Sequence, residues 1–269
     1  MGFIECLRCA RDCGFVAFPL NRPVPMNACQ LAEQDNAQCS VIVTIDFKKR
    51  FVTGVLNIGN HVSIATLRME TKFQVESGSI MSTIWYTCAM SDYCDFEFLN
   101  ELMTDKLANL NAISVQQKLI DLLYKSTPDP TDIQCTKELC PANSFCQADL
   151  QNTVTSQYNY TFINESLPCV HMSSNNSLLE ISQRFSYSAF QVAAMTLLCN
   201  HKECNNNRTV EEAYALIRNE FTIPLNYSIL SINRTSIITT TSLLSGGSFL
   251  VLSYGITIFF QLCFFFYFF

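Results

Sequence analysis

All but one of the 14 cysteines of this 269-residue chain fall into two runs, separated by a cysteine-free stretch from Asp95 to Gln134. The first run is Cys6, Cys9, Cys13, Cys29, Cys39, Cys88 and Cys94; the second is Cys135, Cys140, Cys146, Cys169, Cys199 and Cys204. Cysteines this dense belong to folds in which cross-links hold loops that a small core cannot, and such cross-links persist only in an oxidising compartment. Both runs close alike, with Cys88-x5-Cys94-Asp95 in one and Cys199-x4-Cys204-Asn205 in the other, and the pair Cys29 and Cys140 shares the offset between them. We read this as a weak internal duplication, two related modules in tandem. Pairing is not fixed by the pattern, since even six cysteines permit many connectivities. Cys88–Cys94 and Cys199–Cys204 are the best local candidates, because close neighbours at the end of a sheet can close small loops. The odd number before the tail leaves one thiol free, bridged to another chain in a disulfide-linked dimer, or paired with a cysteine lost with the N-terminus.

Between Cys39 and Cys88 the pattern is that of strands. Ser40-VIVTIDF is rich in β-branched residues, Lys48-Lys49-Arg50 makes a charged turn, and Phe51-VTGVLNI returns; His61-VSIATLRM and Ile80-MSTIWYT follow. This predicts a meander of antiparallel hairpins. In the second run, Phe185-SYSAFQVAAMTLL again leads an apolar run into the closing pair. Helical signals come after each closing pair. Leu99, Leu102, Met103, Leu107 and Leu110 mark one face, and Ser114-x-x-Gln117 and Thr209-x-x-Glu212 read as capping boxes. Ser126-Thr-Pro-Asp-Pro-Thr reads as a hinge.

The expected fold class is therefore mainly β with short helices, in two small disulfide-rich modules. Residues 1–97 form the first module, 98–134 a helical connector, 135–221 the second module, 222–248 a Ser/Thr-rich stalk and 249–269 a hydrophobic tail.

Six N-glycosylation sequons, at Asn159, Asn164, Asn175, Asn207, Asn226 and Asn233, all lie in the second module and the stalk. If they are used, the first module is bare and the second is sheathed in sugar, so a protein partner is expected on the first. The sequence from Thr235 onward has no charged residue and ends in Phe249–Phe269, long enough for one helical crossing of a bilayer at about 1.5 Å per residue. A small-residue approach followed by a terminal apolar run is the pattern of a glycosylphosphatidylinositol (GPI) attachment signal, with Asn233, Ser236 and Ser242 as candidate attachment residues. Met1-Gly2-Phe3-Ile4-Glu5-Cys6 has neither the basic patch nor the apolar region of a signal peptide, so one is expected to be missing from this chain.

Ile4-Glu5-Cys6-x2-Cys9 resembles the opening of the Ly6/uPAR three-finger domains, and Cys199-Asn-His-Lys-Glu-Cys204-Asn205 resembles their closing motif. The resemblance implies a GPI-anchored module, at times tandem, that binds other proteins without catalysis, with the terminal Asn tying loop bases together. It covers only short edges of the chain. Cys88-x5-Cys94-Asp95 departs from the motif by one spacer residue and by Asp in place of Asn. The second module opens with Cys135-x4-Cys140-x5-Cys146 rather than C-x2-C.

The balance of 17 basic and 23 acidic residues, net −6 and scattered, supplies no basic face for nucleic acid. No metalloprotease, hydrolase-elbow, phosphate-loop or dinucleotide motif occurs. Cys199-x-His201-x2-Cys204 and Cys6-x2-Cys9-x3-Cys13 have metal-ligand types at close spacing, but in a secreted chain disulfides account for them. His61 reads as a surface residue in a strand-turn region, and His171, like His201, sits within two residues of a cysteine. Asp92, Asp95 and Glu97 read as a solvated loop, and the lone Trp85 as core packing or an exposed anchor. No catalytic residue, metal or cofactor is expected.

The sequence thus points to a glycosylated protein on the outer face of the plasma membrane. It would be held there by a C-terminal lipid anchor and act as a co-receptor or adhesion-type recognition module for an extracellular or cell-surface protein. A single-pass protein with the same ectodomain and a disulfide-rich protease inhibitor are the alternatives.

Overall fold

Period-two burial sets the architecture. In the strand Ala37–Asp46, Cys39, Val41, Val43 and Ile45 are buried while Ser40, Ile42 and Thr44 are not; in Ile80–Cys88, Ile80, Ser82, Ile84, Tyr86 and Cys88 are buried and the residues between them half-exposed. This is the signature of a sheet covered on one face. The computed structural model describes residues 6–24, 29–35, 37–60, 65–74, 78–89, 91–126, 132–154, 163–171, 177–186 and 191–225. They are mainly β, with four short helices and one large antiparallel sheet.

The strands are β1 (Cys6–Arg11), β2 (Cys13–Pro19), β3 (Gln30–Asp35), β4 (Ala37–Asp46), β5 (Phe51–Asn60), β6 (Thr66–Gln74), β7 (Ile80–Cys88), β8 (Ile133–Gln134), β9 (Leu139–Cys140), β10 (Ser144–Val154), β11 (Ile163–His171), β12 (Ser177–Ser186) and β13 (Gln191–Cys199). The helices are α1 (Cys94–Leu102), α2 (Asp105–Ala108), α3 (Ala112–Leu123) and α4 (Asn207–Glu220). Nine strands make the main sheet, in the order β11-β10-β13-β12-β6-β7-β4-β5-β2. The order β6-β7-β4-β5 of the first half is repeated outward from the seam as β12-β13-β10-β11 in the second. Strands of both expected modules share this one sheet, because β6 pairs with β12 along its whole length, while β1–β3 and β8–β9 form two-stranded sheets of their own.

The covered face packs under the helices. Tyr86 of β7 stacks on Phe98 of α1, with centroids 4.2 Å apart. Phe221, just past α4, meets Phe47 and Phe73 edge-on at 5.3 and 5.1 Å. From α3, the buried Gln116 donates Nε2–H to the carbonyls of Gln74 (2.8 Å) and Ser79 (3.4 Å), satisfying the turn end of the β6–β7 hairpin. Inside the sheet core, Thr71 and Ser82 satisfy each other through a mutual 2.7 Å bond.

The helix starts differ from the expected capping boxes. α3 is capped by Asn111, whose Oδ1 accepts from Ser114 N (3.2 Å), and α4 by Asn206, whose Oδ1 accepts from Thr209 N (3.0 Å). Ser114 and Thr209 are thus the third helical residues, receiving the cap rather than supplying it, since asparagine caps at least as well. The single helical face expected over Leu99–Leu110 is broken into α1 and α2. The segments 61–64 and 127–131, including most of the expected hinge, lie outside the described residues.

At the β2–β5 pair, Phe15 faces Gly54 in register. A Cβ at position 54 would fall inside the contact distance of the Phe15 ring and 3.1 Å from the Ile42 carbonyl oxygen. Gly54→Ala is therefore expected to lower stability by about 1–3 kcal/mol through overpacking. Urea unfolding checks this, and the loss should shrink in the Phe15→Ala background.

Candidate functional site

Six disulfides join described residues: Cys9–Cys39, Cys13–Cys29, Cys88–Cys94, Cys135–Cys146, Cys140–Cys169 and Cys199–Cys204. They include the two close-spaced pairs singled out from sequence, and they engage the thiols of both metal-like clusters apart from Cys6. Cys6 stands in β1 opposite Asp35. Bonds of this number are the mark of a chain that folds in an oxidising, secretory setting.

The bonds form the same knot twice. Cys39 lies opposite Cys88 in the ladder, and Cys146 opposite Cys199. Each central-strand cysteine is bonded back to an upstream cysteine, Cys9 or Cys135, and each last-strand cysteine forward, to Cys94 or Cys204. The residue before each closing cysteine turns left-handed, Tyr93 at φ 60° and Glu203 at φ 53°, and donates its N–H to the carbonyl of Arg8 or Gln134. The residue after it accepts the next N–H: Asp95 from Ala10 at 2.8 Å, Asn205 from Thr136 at 2.9 Å. Cys29 and Cys140, matched by offset in the sequence, are not equivalent, since Cys29 bonds Cys13 and Cys140 bonds Cys169.

The acidic trio is likewise not one solvated loop. Asp92 and Glu97 are exposed, and Asp92 Oδ1 accepts Arg8 N at 2.9 Å, whereas Asp95 is fully buried. Burial pushes the Asp95 carboxyl above its ordinary value, against the pull of the Ala10 and Phe96 N–H groups. Asn205 does the same work uncharged, and also donates Nδ2–H to the Gln147 carbonyl at 3.0 Å.

The face of the sheet away from the helices carries the exposed chemistry. Register puts Val55 opposite Ile42, Ile42 opposite Trp85, and Trp85 opposite Arg68, in one row across four strands. Ile42 and Val55 are 41% and 42% exposed. Trp85 is half-buried, and the Arg68 guanidinium lies 4.9 Å from its ring centroid, a cation–π contact. Beyond Arg68 a charge chain runs across the seam: Arg68 to Glu70 at 3.4 Å, Lys72 to Glu70 at 2.9 Å and Lys72 to Glu180 at 3.3 Å. The hydrogen bond from Lys72 holds the Glu70 carboxyl below its usual value. Thr44–Thr83 and Thr66–Thr87 hydroxyl pairs border the row at 3.3 and 2.8 Å. An apolar strip with an aromatic–arginine centre can make contact surface and directed hydrogen bonds, the ingredients of a protein-binding patch.

Trp85 was legible as a candidate anchor; Ile42, Val55 and Arg68 were missed. Their signal was in the alternation, since Ile42 shares the outward phase of Ser40 and Thr44, and Val55 that of Thr53 and Asn57.

His201 is half-buried with Nε2 3.0 Å from the Leu122 carbonyl oxygen, and His171 is exposed at the end of β11; His61 lies outside the described residues. Of the sequons, Asn207 is exposed as the first residue of α4, and Asn164 is the second residue of β11. Asn159, Asn175, Asn226 and Asn233, and with them Ser236, Ser242 and the Phe249–Phe269 tail, lie outside the described residues. Among the described residues no helix is long and apolar enough to cross a membrane. Comparison of the chain with family models, with curated proteins and with solved structures gives no match.

Asp95→Asn tests the knot. A carboxyl with a raised folded pKa supports the fold below its unfolded pKa and loses that support as pH rises through the folded value. The variant should therefore gain on the parent as pH rises from about 4 toward 7, by urea midpoint. Asp95→Ala leaves the buried Ala10 N–H without its acceptor and should cost about 1–3 kcal/mol.

Proposed function

We propose that this chain is a glycosylated protein of the outer plasma-membrane face, held by a C-terminal GPI anchor, that works by binding a cell-surface or extracellular protein rather than by catalysis. The observation that carries the reading is the open sheet face of the first half. Ile42, Phe51 and Val55, three of the large apolar side chains exposed among the described residues, share the outward phase of β4 and β5 on that face, in the half without a sequon. Trp85 and Arg68 sit in the same row as Ile42 and Val55, and tryptophan and arginine are the residue types that dominate binding energetics. The tail pattern and the sequons supply the location, and the Cys199–Cys204 closure with Asn205 is the part of the chain most similar to the Ly6/uPAR modules. An anchor confines the protein to the membrane plane and raises its effective concentration against neighbouring receptors.

Cells expressing the full chain behind a supplied signal peptide and N-terminal tag test the location. Phosphatidylinositol-specific phospholipase is expected to release tagged, glycosidase-sensitive protein into the medium. Surface protein that stays bound to membranes through both lipase and nitrous acid treatment would instead assign Phe249–Phe269 to a retained helix. For the face, the released ectodomain, clustered and labelled, should lose at least about tenfold of its binding to receptor-bearing cells on combined Ile42→Lys and Val55→Lys substitution, with secretion unchanged. Equal binding would put the contact elsewhere.

A further inference from the structure

The two knots differ in what lies beside them. In the first half Cys9–Cys39 spans 30 residues, with β2 and β3 inserted; its equivalent in the second, Cys135–Cys146, spans 11. Against Cys135–Cys146 lies a further disulfide, Cys140–Cys169. Sγ of Cys140 is 3.0 Å from Sγ of Cys135, and both atoms are already bonded, so this is a contact between two disulfides. It is about 1 Å longer than the bond it would become. The Sγ atoms of Cys135, Cys140 and Cys146 all lie within 4.8 Å of one another. The two bonds differ in access. Cys135, Cys140 and Cys146 are buried, whereas Cys169 is half-buried beside the exposed Glu138, whose Oε1 accepts the Cys169 N–H at 2.9 Å and lies 3.3 Å from its Sγ. In the first half Cys39, Cys88 and Cys94 also cluster, but Cys9–Cys39 and Cys88–Cys94 are buried at all four residues and give a thiol no way in.

We propose that Cys169 is an exchange site for small extracellular thiols, and that a thiol entering there is relayed through Cys140 and Cys135 to Cys146. Exchange needs a thiolate, a sulfur it can reach and a thiol that leaves. The entering thiolate bonds to Cys169 Sγ and breaks Cys140–Cys169, and the electron pair leaves on Cys140 Sγ, in the core beside Cys135. That thiolate bonds to Cys135 Sγ and breaks Cys135–Cys146. The pair leaves on Cys146, which takes up the proton the entering thiol lost. Two disulfides stand before and after, so no oxidant or reductant is consumed. The product holds a mixed disulfide at Cys169, a Cys135–Cys140 bond and a thiol at Cys146. In it the β8–β9 hairpin is closed on itself and no longer cross-linked to β10 or β11; the Thr136–Asn205 and Glu203–Gln134 hydrogen bonds are what tie it to the knot. The inference rests on the extracellular reading, because both disulfides need an oxidising setting to form.

The test uses the full chain behind a signal peptide, purified from cells in mild detergent. It is incubated with reduced glutathione, quenched in acid and denatured, and its thiols are alkylated with N-ethylmaleimide. Trypsin at Lys137 and chymotrypsin at Phe145 place Cys135, Cys140 and Cys146 on separate peptides, read by mass spectrometry without reduction. Before glutathione, Cys135–Cys146 and Cys140–Cys169 are expected as linked peptides. After it, glutathione should sit on Cys169, Cys135 should be linked to Cys140, and the alkyl label should appear on Cys146. A label on Cys140 with Cys135–Cys146 intact overturns the proposal, as does the absence of glutathione from Cys169. Cys169→Ser removes the entry step and leaves Cys140 a thiol from the start. The secreted variant should show Cys135–Cys140 and a label on Cys146 with no glutathione added; a label on Cys140 instead overturns the relay. If the variant is not secreted, the parent's labels decide alone. A parent whose cysteines are all alkylated before glutathione is added overturns the extracellular reading as well.

Discussion

One ladder, β6 on β12, makes this chain a single sheet. The first half contributes five strands to the sheet and the second four, each with an open inner edge, and pairing the two edges removes both. The seam is reinforced from two sides by different physics. On the covered face, Phe73 and Leu179 are fully buried, α3 lies against both β7 and β12, and Phe221 packs on Phe73. On the open face, Lys72 of β6 bridges Glu70 of its own strand and Glu180 of β12. These side chains are part-exposed, so the ion pairs fix register more than they add stability, while the buried apolar side supplies the energy.

The strands and the closing disulfides were the legible part of the fold. Val, Ile and Thr in alternation identify β4 to β7 from local pattern alone, and two cysteines five or six residues apart past a strand end leave few geometries. The seam was not legible. Nothing in Thr66–Gln74 or Ser177–Ser186 names the other as a partner, because alternation shows which face a residue takes and not which strand lies beside it. The offset search also misled. The β2–β3 insertion lengthens the first half upstream of β4, so a fixed offset matches Cys29 to Cys140, whereas ladder position matches Cys39 to Cys146. The open face was half legible: a single tryptophan draws notice, whereas Ile42 and Val55 look like ordinary strand residues until the phase of burial is known.

The repeated knot shows how much a position can vary while its hydrogen bond stays. Asp95 and Asn205 each accept the N–H that follows an upstream cysteine, and each stands fully or almost fully buried. Asn205 balances its acceptor with a donor that finds the Gln147 carbonyl. Asp95 has acceptors only, and takes a second N–H from Phe96 at 2.9 Å. The geometry asks for an oxygen at that point, and burial makes the neutral amide the less costly way to provide it. An aspartate at the closing position is a departure from the motif in sequence and a small one in structure.

The seam also has a history in time. Each half contains ladders between neighbours in sequence, the hairpins β4–β5 and β6–β7, β10–β11 and β12–β13, and a disulfide that closes a short loop, Cys88–Cys94 or Cys199–Cys204. The β6–β12 ladder joins strands with the whole helical stretch and much of the second half between them. Pairings this distant carry the largest loop-closure cost and form late. As the chain leaves the ribosome, the first half meets the secretory lumen with β6 bare, and it stays bare until β12 has been made. The three disulfides of the first half, Cys9–Cys39, Cys13–Cys29 and Cys88–Cys94, use no residue of the second, so nothing in their pairing has to wait for the strand that β6 will meet.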